Sequence, residues 1–467
     1  MKTKRAIALL IALAMGTTMI SSCGKKEDSS LTEDGRVILT VGNWPDEETK
    51  PESYASRMKL KEEFEAKYPD ILVVPDTWAY DVSTFAAKAE GGTLPIIYNT
   101  FATESKKIME LGYAADITDA MKKNGYYDAI SDDIKNEISK DGHIYIIPRS
   151  LYTLGLVLNL NLFRQAGLMN EDGTPKIPET FDDVREMSKI IKEKTGKAGF
   201  LFPTTANGGG WNFTNLAWSF GGEFMKETDA GWKADFNDGV TEALKFLRDM
   251  KWEDNSLPKE TLINNDDAMK LIGTDQAAMA FAHPGQVDLL TSKYGMSTDD
   301  IGYAKMPAGP KARVALLGGD FSAIAPNATP KQIDAAIKWL AFKGDTPATE
   351  LTDELKTAIE RNIQEKLDSK RVIGIKDASI WNANNASEAY KQEMIEKNRN
   401  IKEENVASYN DKTGVVLHAE ERMCTQDLYA LLDSCIQAVL NDKNADCQAV
   451  VDKAESDFQN NYLNNLN

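Results

Sequence analysis

Four cysteines and three histidines are all that 467 residues offer as soft metal ligands. His143, His283 and His418 are scattered, and the gaps between Cys424, Cys435 and Cys447 match no zinc spacing. No metal and no cofactor is expected. Positive charge is also scarce, with 54 Lys and Arg against 72 Asp and Glu and a formal net charge of −18. Such a surface repels phosphate backbones, which argues against nucleic acid as a partner. Catalytic signatures are missing. The sequence has no GxSxG, HExxH or CxxC, and the glycines at 208–210 run into Trp-Asn-Phe rather than Lys-Ser/Thr, so they form no P-loop. Acidic residues are so numerous that no pair stands out as a glycosidase couple. Beyond the N-terminus, no apolar run approaches the ~20 residues of a membrane-spanning helix.

What is present begins with an address. A basic start, MKTKR, precedes the apolar run Ala6–Ile20, which is too short to span comfortably and suits a secretory signal. The run ends in Ile20-Ser21-Ser22-Cys23, followed by the soluble stretch GKKEDSS. An apolar residue, two small residues and a cysteine resemble the lipobox of bacterial lipoproteins. The resemblance implies a signal peptide over 1–22, lipidation of Cys23, and a tether over 23–35. The alternative is an ordinary signal peptide with a chance cysteine. In an extracytoplasmic protein two of the three C-terminal cysteines could pair; buried thiols are the other reading.

From residue 36 strand and helix signals alternate. RVILTVGNW, ILVVPDTW and GGTLPIIYNT read as strands, and PESYASRMKLKEEFEAKYP as an amphipathic helix begun by Pro51. Thr180, with Asp182 and Asp183 behind it, starts another helix. Further helices are predicted at Trp211–Phe220, Gly239–Trp252 and Gln332–Phe342, and long helical segments after Thr346. This rhythm predicts an α/β fold with a mainly parallel sheet. No internal repeat is visible.

The order of several stretches carries a resemblance: VILTVGNWPDE, KLKEEFEAKYPDI, AEGGTLPIIYNT, DGHIYIIPRSLYTLGLVLNLNLFRQAGL, AWSFGGEF, AAMAFAHPGQV, MPAGP, GGDFSAIAPNATP and IKWLAF. Together they resemble the extracellular solute-binding proteins of the sugar-binding type, the maltose-binding-protein-like receptors of bacterial ABC importers. Ile96 stands where the family usually has Asp, and Leu158, Asn159 and Asn161 depart from its tyrosine and aspartate. The resemblance implies a two-lobe periplasmic-binding-protein-like α/β fold. Its hinge would be crossed near Arg149–Tyr152, Lys305–Arg313 and Ala341–Asp345, with a ligand cleft between the lobes. One lobe would hold 36–150 and 312–343, the other 151–311 and 344–467 with the C-terminal helices. The implied function is a monomeric, lipid-anchored receptor outside the cytoplasm. It would bind a saccharide without covalent chemistry and deliver it to membrane permease subunits. A carbohydrate-active enzyme and a receptor for a non-sugar solute are the competing readings.

Sugars present apolar C–H faces ringed by hydroxyls, so aromatic platforms and polar side chains should line such a cleft. On a helix from 211 to 220, Trp211, Asn215 and Trp218 share one face, with Phe213, Ala217 and Phe220 opposite. The family usually places a ligand-stacking aromatic at that helix start, which implies Trp211, with the preceding glycines admitting backbone to the ligand. Trp218 is a second candidate, with core packing the alternative. Trp44 follows the first strand at the end where α/β sheets bind ligands. Asn99 and Thr100 end the third strand. Arg149 and Tyr152 sit at the first crossing, His283 at the end of AAMAFA, Asp320 on a returning strand, and Trp381 in the C-terminal segment. Trp78 and Tyr80 suit packing as well as binding, and Glu223 a structural role.

Overall fold

Apolar runs of four to eight residues bounded by turns become the strands of two separate sheets in the computed structural model. It describes residues 30–344, 350–376, 378–382 and 385–466. The expected signal peptide and the expected lipidation site Cys23 lie outside them. In chain order the strands are β1 (Val37–Val41), β2 (Ile71–Pro75), β3 (Ile97–Phe101), the short pair β4 (Ser139–Lys140) and β5 (His143–Ile144), β6 (Ile146–Thr153) and β7 (Gly155–Asn159). Then come β8 (Ala198–Leu201), the hairpin β9 (Met225–Thr228) and β10 (Gly231–Ala234), β11 (Ala277–Ala282), β12 (Ile301–Lys305), β13 (Val314–Ile324) and β14 (Val416–Ala419).

The first sheet runs β14-β13-β3-β1-β2, with β6 also on β13; the second runs β12-β7-β11-β8. Both are mixed, which corrects the expectation of a mainly parallel sheet. β1 is parallel to β2 and β3, but β13 is antiparallel to β3 and β6, and β7 is antiparallel to β11 and β12. The reversals occur where the chain passes from one sheet to the other. A strand that arrives from the neighbouring sheet needs no helical crossover, so it is free to run backward.

Leu154 alone separates β6 from β7, and its N–H bonds Leu316 O at 3.0 Å. The first passage thus lies slightly beyond the expected Arg149–Tyr152. The return falls between Lys305 and Val314. β7 is buried along its length: Leu156 and Leu158 face one core and Val157 another, the alternation of a central strand covered on both faces. β13 serves both lobes. Its Val314–Leu316 lie in the second core, and its Phe321, Ala323 and Ile324 in the first. Ile380 is buried in the first core too, so the 344–467 segment does not pack wholly on the second lobe.

The Gly208–Ser219 helix fixes the second lobe to this strand. Asn215 bonds β13 from both ends of its amide, Nδ2 donating to Val314 O at 2.9 Å and Oδ1 accepting from Leu316 N at 2.6 Å. Cys424, Cys435 and Cys447 are free thiols, the last two buried.

Candidate functional site

The glycines of GGGW admit a neighbouring helix. The Thr425–Asn441 helix lies so close that a Cβ on Gly210 would stand 2.2 Å from Tyr429 O, and one on Gly209 2.5 Å from Asp433 Oδ1. Asp433 closes the helix start: its Oδ2 accepts from Asn207 N at 2.8 Å and its Oδ1 from Gly210 N at 2.7 Å. A helix N-terminus attracts an anion, and here the protein supplies it internally. Of the twelve residues in the helix only Trp211 is not fully buried, because it projects from the first turn beyond the packed glycines.

Trp211 meets Tyr152 and His283 there. Tyr152 comes from β6 of the first sheet, and His283 follows β11 of the second. The Tyr152 and His283 rings stack at 4.6 Å between centroids, and Trp211 meets them edge-on at 6.4 and 6.1 Å. Tyr152 has room because its partner across the ladder is Gly318; a Cβ there would lie 2.5 Å from the tyrosine ring. His283 caps the Pro284–Ser292 helix, Nδ1 accepting from Gly285 N at 3.2 Å, which assigns the proton of the neutral ring to Nε2. Burial drives its pKa down to about 4, opposed by Asp320, so the imidazole is neutral at physiological pH.

Two carboxylates absent from the sequence reading complete this wall. Glu420, just past β14, accepts from Tyr429 Oη at 2.9 Å and lies beside Trp211. Burial pushes its pKa up to about 7, with nearby Glu104 adding to the rise. Glu104 is buried and accepts from Tyr80 Oη at 2.7 Å. Glu420, Glu421 and Arg422 border a pocket of about 510 Å³, including the solvent at its mouth, whose other side is formed by Thr103, Leu151 and Phe321. A short acidic pair after VVLHA carries no local pattern that marks it as a cleft wall.

Other expected residues go elsewhere. Trp44 is buried in the first core, stacked on Trp339 at 6.1 Å. Its place at a strand end reflects packing against the Pro330–Phe342 helix. Thr100 is buried, and Asn99 accepts from Ser322 Oγ at 3.1 Å, so both are spent within the sheet. Trp218 is buried, donates to Glu421 Oε1 at 3.1 Å and stacks on His418 at 3.8 Å. It is a clasp for the 418–421 segment. Arg149 is the extra residue of a β-bulge, between the pairs Asp320–Ser150 and Phe321–Pro148. It borders a separate pocket with Trp381, which packs against Tyr126 at 5.8 Å. Asp320 is exposed, accepts from Ser150 Oγ at 3.1 Å and acts on Tyr152 and His283. Trp78 packs on Tyr98 at 6.4 Å, and Glu223 is exposed. Tyr152, Trp211, His283 and Asp320 are thus brought together; the other six candidates are not.

Known structures share this architecture. The maltose-bound MalE3 of T. maritima superposes with a TM-score of 0.64 at 17% identity, covering 91% of this chain and 99% of that one. UgpB from Mycobacterium tuberculosis in complex with glycerophosphocholine gives 0.67 at 16%, covering 91% and 98%. The GacH receptor of Streptomyces glaucescens, studied unliganded and with acarbose, gives 0.65 at 16%, covering 92% and 99%. At such identities the likeness is one of fold, the two-lobe α/β fold of periplasmic binding proteins. No curated protein matches the sequence. The profile of one family, bacterial extracellular solute-binding protein, matches residues 48–346, well over half of the chain. The chain belongs to the bacterial extracellular solute-binding protein family.

Proposed function

We propose that the protein is a lipid-anchored receptor outside the cytoplasm that holds a sugar or oligosaccharide between its lobes and delivers it to an ABC importer permease. The observation that carries this reading is the meeting of Tyr152 from the first sheet, His283 beside a strand of the second, and Trp211 from the Gly208–Ser219 helix. Aromatic faces stack on sugar C–H surfaces, and neutral Nε2–H, carboxylates and backbone groups around them match hydroxyls. A site split between lobes also gives the bound ligand a way to favour the closed form, which a permease can then distinguish from the open one. Solute binding without covalent chemistry fits the family, and the site serves this role as a monomer.

Tryptophan fluorescence and thermal shift against a glycan panel test the reading. A saccharide should give a saturable response, and Trp211→Ala should weaken its affinity at least about tenfold, the loss of one stacked aromatic. No response to any saccharide refutes the sugar assignment, and turnover of a bound glycan refutes the receptor. For the anchor, Cys23→Ser should release the protein from the membrane; retention would refute lipidation.

A further inference from the structure

We propose that the solute held at this wall carries a protonated nitrogen, as an amino sugar does, placed against the Trp211 face with Glu420 as its counter-ion. This rests on the receptor reading above and adds the charge of the ligand.

Three observations combine. The rings of Tyr152, Trp211 and His283 cluster with centroids 4.6, 6.1 and 6.4 Å apart, and tyrosine and tryptophan faces attract cations. The charges that act on these rings are all acidic. Asp320 acts on Tyr152 and His283, Glu420 on Tyr152, and Glu104 on Glu420. Nor is the negative charge neutralised by the protein. Among the described residues, neither Glu420 nor Asp320 makes an ion pair, while Lys107 lies 4.0 Å from Glu104 and Lys106 is engaged with Glu137 at 3.5 Å. Arg422 borders the same pocket as Glu420, and its side chain is exposed.

Glu420 accepts from Tyr429 at 2.9 Å, which uses about one of the four lone-pair sites of a carboxylate. A neutral sugar would leave an enclosed carboxylate uncompensated, at a desolvation cost that a cationic ligand offsets. The third ring of the wall supports the same selection. His283 is neutral, so it does not repel an ammonium group as a histidinium would.

Matched ligands decide the point. Isothermal titration at about pH 7, where an amino-sugar nitrogen keeps much of its proton and a bound cation favours the ionised form of Glu420, would compare glucosamine oligomers with their N-acetylated counterparts and with maltooligosaccharides. The amine-bearing member should bind at least about tenfold tighter than its neutral counterpart, as expected of a desolvated cation on an aromatic face. Glu420→Gln should abolish that preference, so that the amine-bearing ligand binds no tighter than its neutral counterpart. Asp320 is exposed, so Asp320→Asn tests the same charge without disturbing the core, and should lower the preference severalfold. Equal or tighter binding of the neutral partner overturns the inference but leaves the receptor reading standing. A preference that survives both variants also overturns it. Failure of every saccharide, charged or neutral, overturns the sugar-receptor reading itself.

Discussion

Glu420 and Glu421 hold the segment after β14 onto two helices, Glu421 accepting from Trp218 and Glu420 from Tyr429. Burial raises both carboxyls to about 7, from 4.5 for an ordinary glutamate. In that window the folded protein binds more protons than the unfolded chain, so stability falls as pH rises from about 4.5 to about 7. Glu421→Gln should flatten that decline, read as urea midpoints at about pH 5 and about pH 7. An unchanged slope would refute the role of Glu421. At this scale the sequence was legible where position along a strand decides the outcome. Tyr152, His283 and Asp320 border strands that reach the junction of the sheets. It misled at Trp44, because a tryptophan at a strand end looks the same whether it meets a sugar or Trp339, and the second indole lies far along the chain. Glu420 was invisible, since its environment comes from a helix and a strand distant in sequence.

The Gly208–Ser219 helix shows how an element can depend on a partner outside itself. Its interior was readable from the face of Phe213, Ala217 and Phe220, of which the first two are buried and Phe220 half-buried. Its first turn was not. Three glycines are poor helix formers, and Asn207 gives no side-chain cap. The turn forms because Asp433, on the Thr425–Asn441 helix, accepts from Asn207 and Gly210, and because the missing side chains let that helix approach. Asp433→Ala should therefore cost about 1–3 kcal/mol in urea denaturation, through the loss of a cap and the exposure of buried donors. A cost near zero would mean that helix packing alone sets the turn. The Gly239–Trp252 and Gln332–Phe342 predictions fall within one or two residues of the observed helices, Asp238–Trp252 and Pro330–Phe342, because their caps are local. Asn237 and Thr329 each accept from a backbone N–H of the following turn.

For the molecule as a whole, the fold was legible because the order of its stretches is characteristic, whereas periodicity alone suggested too parallel a sheet. Motion is the property to measure. The clustered rings of Tyr152 and His283 belong to elements of different sheets, and Leu154 is the sole residue between β6 and β7. Small-angle scattering should record a smaller radius of gyration when a saturating saccharide is added, as the lobes close. Identical profiles with and without bound ligand would rule out lobe closure as the signal to a permease.

The same design has a consequence for anyone wishing to prepare the lobes as separate fragments. β13 leaves Val314–Leu316 in one core and Phe321 to Ile324 in the other, without a break. A cut before it removes from the first lobe the strand that joins β3 and β6. A cut after it strips the second lobe of apolar residues and of the backbone clasped by Asn215. No single scission yields two self-sufficient pieces. Each half would need the other supplied in trans, as in fragment complementation.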